Sequence, residues 1–214
     1  MLNLKDLQEQ GWRHGINKIC CCDCLPAMRL IEDKAIDLIL CDPPYGIGED
    51  GGRFRDRKGG GHRVLPKGNW DKERVGKEYF NEIFRIAPNQ IVFGGNYYTD
   101  FLPVSRGWIY WQKLMGGDFS DGELAWTSFD RVLKEFTYCN KYAGKKHPTQ
   151  KPAELMRWIL ENYSNEGDLI CDPFAGSFTT ARACKDLGRD FIGFELSPSY
   201  CRIGEERLRQ EVMF

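Results

Sequence analysis

The stretch from residue 168 to residue 195 admits few folds. Asp168-Leu169-Ile170-Cys171 is a short apolar run, followed by the glycine turn Asp172-Pro173-Phe174-Ala175-Gly176-Ser177. Residues 179–187 then carry a helical pattern that Gly188 can stop, and a second apolar run extends from Asp190 to Glu195. Two strands joined through one helix must lie parallel in one sheet. Further apolar runs of strand length fall at residues 16–22, 36–41 and 90–93. Between and after them lie helical patterns at 152–164 and 198–210. In the first of these, Leu155, Met156, Ile159, Leu160 and Tyr163 share one face, and Pro152 suits an opening turn. Strands alternating with helices imply an α/β fold: a mostly parallel, Rossmann-like sheet with helices on both faces. The 214 residues suit one domain, 1–214.

The glycine turn also suggests a ligand. Backbone N–H groups and a helix N-terminus can approach a bound group closely at such a turn. An acid at the end of the next strand can accept hydrogen bonds from a ribose diol. Glu195 stands there, 23 residues after Asp172. A nucleoside-containing ligand is therefore expected. The turn lacks the full G-x-G-x-x-G spacing, which weakens a dinucleotide reading. Asp172 disfavours a phosphate and suits a cationic or amine-bearing group. The plain alternative is a glycine turn with an Asp cap and no ligand.

A second constellation follows the run at 36–41. Asp42-Pro43-Pro44-Tyr45 sits where ligands bind in open α/β sheets, at a strand's carboxyl end. Two prolines fix the backbone and remove two N–H donors. What remains is a row of acceptors, the Asp42 carboxylate and backbone carbonyls, beside the flat face of Tyr45. Such a row fits an –NH2 group on an aromatic ring. That amine is a poor nucleophile because its lone pair is delocalised, and acceptors on its protons favour the geometry that frees the pair. A rigid strand-ending turn is the plain alternative.

Asp42-Pro43-Pro44-Tyr45, His147-Pro148-Thr149-Gln150-Lys151-Pro152 and Asp172-Pro173-Phe174-Ala175-Gly176-Ser177, in that order, resemble the amino-group DNA methyltransferases, and within them the circularly permuted beta group. The resemblance runs from about Cys22 to Cys201. It implies S-adenosylmethionine as cofactor and DNA as substrate. It implies that Asp42, Pro43, Pro44 and Tyr45 hold a flipped base. Asp172, Phe174, Ala175 and Gly176 would meet the cofactor's methionine end, and Ser177 and Thr179 would bind the cofactor as well. His147, Thr149 and Lys151 would close over the methionine end, the last two contacting its carboxylate. Glu195 would meet the ribose and Asp23 the adenine, and Cys24 and Leu196 would also contact the cofactor. Asp in the tetrad favours adenine N6 over cytosine N4, which stays the alternative. A silent nucleic-acid-binding subunit is the rival of another class, because Phe178 stands where the family usually has a second loop glycine. Packing of Phe178 on the sheet or the cofactor's sugar would leave the cofactor path intact. A second copy of the chain and a cognate restriction enzyme are partners the resemblance leaves open.

Charge and composition bound the rest. Thirty Lys+Arg against 31 Asp+Glu exclude binding by bulk positive charge. They allow a local basic patch, and residues 46–67 supply one. This stretch holds seven glycines together with Arg53, Arg55, Arg57, Lys58, Arg63 and Lys67. It reads as a long functional loop making phosphate contacts, or as a plain solvated run. Residues 113–146 read as a short irregular insert available for target recognition. Trp108, Tyr110 and Trp111 read as core. Cys20, Cys21, Cys22 and Cys24 read as small buried hydrophobes and not as a metal site, since consecutive strand residues point to opposite faces. Charges in the first fifteen residues argue against a secretory leader, no apolar run is long enough to span a membrane, and the expected compartment is the cytoplasm.

Overall fold

A computed structural model describes residues 1–48, 52–55, 62–65, 71–114, 120–139 and 150–210; of 52–55 and 62–65 it describes the backbone alone. The chain runs α1 (Leu4–Gln10), β1 (Ile19–Cys21), α2 (Cys24–Met28), β2 (Leu38–Cys41), β3 (Gly52–Arg55), β4 (His62–Leu65), α3 (Lys77–Ile86) and β5 (Asn89–Phe93). It continues with β6 (Trp108–Gln112), β7 (Gly122–Thr127), β8 (Lys134–Thr137), α4 (Ala153–Tyr163), β9 (Leu169–Asp172), α5 (Thr179–Asp186), β10 (Asp190–Glu195) and α6 (Pro198–Arg209).

Eight strands form one sheet in the order β1-β10-β9-β2-β5-β7-β6-β8. The five strands from β1 to β5 are parallel, and β7 runs antiparallel to both of its neighbours. Alternation along each strand sorts side chains onto two apolar layers. Ile39 and Cys41 of β2, with Val92 of β5, join the layer containing Phe80, Ile83 and Ile86 of α3. Leu38, Leu40, Ile91 and Phe93 join the layer containing Leu155, Met156, Ile159 and Leu160 of α4. Both faces of the central strands are thus buried, which is why they read as unbroken apolar runs.

The expected strands and helices are present, and Gly188 has the left-handed φ of +70° expected of a helix stop. Two expectations are corrected. Residues 46–67 are not all loop: β3 and β4 pair antiparallel, Gly52 opposite Leu65 and Arg55 opposite His62. A two-stranded ribbon needs no long apolar period, so the sequence pattern did not reveal it. The base of this excursion is pinned: the N–H groups of Gly46 and Gly48 donate to the Asp71 carboxylate and carbonyl at 2.9 and 3.0 Å. Residues 113–146 are not simply irregular either, because they contain β7 and β8. β7 carries Gly122, Glu123 and Thr127 among its apolar residues, which masks its period.

Trp111 is buried, while Trp108 and Tyr110 are half-buried, in keeping with core packing. Cys20, Cys22 and Cys24 are buried, and burial pushes the Cys20 thiol up to about 12 and that of Cys22 to about 11. Among the described residues no helix is long and apolar enough to cross a membrane.

Candidate active site

The carboxyl ends of β1, β10, β9, β2 and β5 lie along one edge of the sheet, because these strands are parallel. Asp23, Glu195, Asp172, Asp42 and Gly94 sit at or just past those ends. A cavity of about 290 Å³ opens among the first four of these. Ligand sites of ordinary proteins start at roughly this size. Of the residues expected around a cofactor, Asp23, Cys24, Asp42, Lys151, Asp172, Phe174, Ala175, Gly176, Ser177, Thr179, Glu195 and Leu196 all line it. His147 and Thr149 lie outside the described residues, as do Arg57, Lys58 and Lys67. Arg53 and Arg55 lie on β3 and Arg63 on β4, within the part described by backbone alone.

The glycine turn is held by backbone bonds. Ala175 N–H donates to the Phe194 carbonyl at 2.9 Å, and Phe178 N–H to the Ala175 carbonyl at 2.7 Å. Glu195 accepts the N–H of Gly176 at 2.9 Å on one oxygen and that of Ser197 at 2.7 Å on the other. Burial outweighs these bonds and raises the Glu195 carboxyl to about 7. Asp172 accepts the Phe174 N–H at 3.1 Å and is likewise raised by burial to about 7. One buried and one half-buried carboxylate, with spare acceptor capacity and a raised affinity for protons, suit a ligand bearing hydroxyl groups or positive charge.

Phe178 leaves this cavity open. Its side chain is 0% exposed and does not line the cavity. The ring fills space that two glycines leave: a Cβ at Gly204 would fall 2.4 Å from Phe178 Cδ2, and one at Gly193 would fall 3.0 Å from Cε1. The backbone keeps the left-handed φ of 58° that suits glycine. A larger residue there costs about 1–2 kcal/mol, and burying the ring offsets it by about 1.5–3 kcal/mol.

The tetrad borders the cavity through Asp42 and Pro44, while Pro43 is buried behind them. The Tyr45 hydroxyl donates to Asp42 Oδ1, and the Tyr98 hydroxyl donates to the Pro44 carbonyl. The Tyr45 ring stacks on Tyr97 with centroids 4.7 Å apart and planes 13° apart. Gly94 makes room for that ring, since a Cβ there would lie 2.1 Å from Tyr45 Cε1.

Lys151 makes contacts within the chain that the sequence did not indicate. Its ammonium lies 2.5 Å from Asp42 Oδ2 and 3.0 Å from Glu123 Oε2. Lys113 lies 2.5 Å from the other oxygen of Glu123. Burial raises the Asp42 carboxyl, and Lys151 opposes that shift. Burial would also raise Glu123, but the two ammonium groups outweigh it and hold its carboxyl low. For Lys151, burial works against the charge, and the two carboxylates outweigh it and keep the ammonium protonated.

Glu123, Gly94, Tyr97 and Tyr79 join the site without having been singled out from sequence. Gly94 and Tyr97 directly follow a buried parallel strand, the signal that found Asp42, and the same rule could have found them. Glu123 gave no signal, because its strand was hidden in an apparent insert.

A family model described as a DNA methylase matches residues 99–206. The type II methyltransferase M2.DpnII of Streptococcus pneumoniae is 49% identical, over 85% of this chain and 85% of that protein. The type II methyltransferase M.HpaI of Haemophilus parainfluenzae is 30% identical, over 91% of this chain and 74% of that one. A crystal structure of an M1.HpyAVI–SAM complex shares the fold with a TM-score of 0.61 at 22% identity, over 90% of this chain and 98% of that one. A family model over half of the chain, together with relatives aligned over 85% and 91% of it, makes the chain a member of the DNA methylase family, the N6/N4 amino-group methyltransferases.

Proposed function

We propose that the protein transfers a methyl group from S-adenosylmethionine to the N6 amine of an adenine flipped out of DNA. One observation carries the reading: Asp42 borders the cavity and, on the same carboxylate, holds the Tyr45 hydroxyl and a cationic N–H donor. The amine acceptor therefore stands in the wall of the cofactor cavity, with the aromatic plate hydrogen-bonded to it from outside that wall.

The cavity fits the cofactor by its donors and acceptors. Glu195 would accept from the ribose hydroxyls and Asp23 would meet the adenine, with Cys24 and Leu196 lining the cavity beside them. Asp172, Phe174, Ala175, Gly176, Ser177 and Thr179 would border the methionine end, with His147 and Thr149 closing over it. When bound, S-adenosylmethionine supplies a methyl group activated on a positive sulfur. The chain's own residues position and polarise the amine. Asp42 accepts one amine proton in a hydrogen bond and so frees the nitrogen lone pair. Correct placement of two reactants is worth up to ~7–11 kcal/mol of barrier, so no covalent intermediate and no thiol is required. The raised thiols of the buried cysteines agree with that.

Flipping a base costs a few kcal/mol. A stack on Tyr45 returns about 1–3 kcal/mol. The remainder falls to hydrogen bonds at Asp42 and to phosphate contacts, for which Arg53, Arg55, Arg57, Lys58, Arg63 and Lys67 are the candidates. Asp in the tetrad favours adenine over cytosine. We read the motif order, tetrad before glycine turn, as the circularly permuted one, and the whole chain as one domain. A second copy of the chain and a cognate restriction enzyme remain proposed partners. Mass spectrometry of nucleosides from unmethylated DNA incubated with protein and S-adenosylmethionine tests the reading. N6-methyldeoxyadenosine is expected, and N4-methyldeoxycytidine would overturn the choice of base. No methylated nucleoside, together with no cofactor binding, would favour the silent subunit.

A further inference from the structure

On the methyltransferase reading Asp42 is the acceptor for the target amine, and a side chain of this chain already sits on its Oδ2. Lys151 Nζ sits there at 2.5 Å, with only 6% of its side chain exposed. A second donor can share that oxygen only beside the ammonium, so while Lys151 holds it an incoming amine competes with a full positive charge for the same acceptor. Lys151 cannot withdraw without a partner, because an unpaired buried ammonium is strongly disfavoured. Glu123 is that partner. It reaches the same ammonium at 3.0 Å from β7, a strand outside the tetrad and the glycine turn. The four groups form an alternating row: Asp42, Lys151, Glu123 and Lys113, with contacts of 2.5, 3.0 and 2.5 Å. Two carboxylates balance two ammonium groups.

We propose that Glu123 is a positioning residue, holding the Lys151 ammonium as that group cedes Asp42 Oδ2 to the amine of the target base. This rests on the methyltransferase reading and deepens it. Lys151 serves as an internal stand-in for the substrate amine: it keeps Asp42 ionised and desolvated until a base arrives. The incoming amine replaces one N–H donor by another at Asp42, and Glu123 keeps the displaced charge paired. No bond is made or broken in the exchange.

The test is single-turnover methyl transfer with cofactor binding measured beside it. Glu123→Gln keeps the shape and removes the charge, leaving Asp42 as the remaining carboxylate for Lys151. Transfer should slow about tenfold or more, with cofactor affinity unchanged. Glu123→Asp, which keeps the charge, should recover part of the rate. Adding Lys151→Met to Glu123→Gln removes the ammonium that competes for Asp42 and restores the charge balance, so the double variant should be faster than Glu123→Gln alone. A purely structural role for Glu123 predicts the reverse, because two buried defects add. A Glu123→Gln protein as fast as wild type, or a double variant slower than Glu123→Gln, overturns the proposal. Wild-type protein that transfers nothing overturns the parent reading and this one with it, whereas wild-type transfer with Glu123→Gln unaffected overturns this one alone.

Discussion

Gly94 offers a sharp test of how Tyr45 is held. The residue has a φ of +63°, and a Cβ there would lie 2.1 Å from Tyr45 Cε1 and 2.4 Å from Cζ. Ordinary contact begins near 3.4 Å, so in Gly94→Ala the ring must retreat by about 1 Å or more. That movement pulls the hydroxyl from Asp42 Oδ1 and tilts the ring off Tyr97. A misplacement of about 1 Å can cost ~100-fold in rate, which corresponds to about 2.7 kcal/mol of barrier. The left-handed backbone adds about 1–2 kcal/mol of destabilisation, a few degrees in Tm for a chain of this size. Neither Gly94 nor Tyr45 lines the cofactor cavity. Single-turnover transfer from labelled S-adenosylmethionine should therefore fall about a hundredfold, while calorimetric cofactor affinity stays near wild type. Folded protein with a wild-type rate would refute the positioning argument. Equal loss of rate and cofactor binding would show that the turn supports the whole site instead.

Three further outcomes are expected. Phe178→Ala should cost about 3–5 kcal/mol in urea unfolding, because the ring is fully enclosed; a loss under about 1 kcal/mol would show that the pocket between Gly193 and Gly204 collapses freely. Asp172 and Glu195 are raised to about 7 in the folded chain, so the folded protein binds these protons more tightly than the unfolded one. Their contribution to stability is full below the ordinary carboxylate range and is lost as pH rises through about 7. Thermal melts of ligand-free Glu195→Gln should show a flatter decline over that window, and a parallel decline would contradict the assignment. Charge reversal at Arg53, Arg55 and Arg57 should weaken DNA binding and shallow its salt dependence by about 0.9 in log–log slope for each phosphate no longer neutralised; an unchanged slope means these residues touch no phosphate.

Much of this was legible because local chemistry and tertiary placement agree. Ile39, Leu40 and Cys41 could be read as a doubly buried strand, and Asp42 followed from that at its carboxyl end. Asp172, Gly176 and Glu195 followed from one strand–helix–strand unit. Phe178 was legible only as a departure: its burial depends on Gly193 and Gly204, distant in sequence and facing it only in the fold. β7 stayed hidden because Gly122, Glu123 and Thr127 break its pattern, and Glu123 was missed with it. Lys151 was expected at the cavity it lines, but its ion pairs with Asp42 and Glu123 were not legible. Which anions a long cationic side chain meets is fixed by packing, not by sequence spacing.

The most direct test of the central claim is Asp42→Ala, with methyl transfer and cofactor binding measured on the same preparation. The carboxylate is read as the acceptor that prepares the target amine. Transfer should then be abolished while cofactor binding stays nearly intact. Loss of both in equal measure, or transfer that survives, would contradict that role.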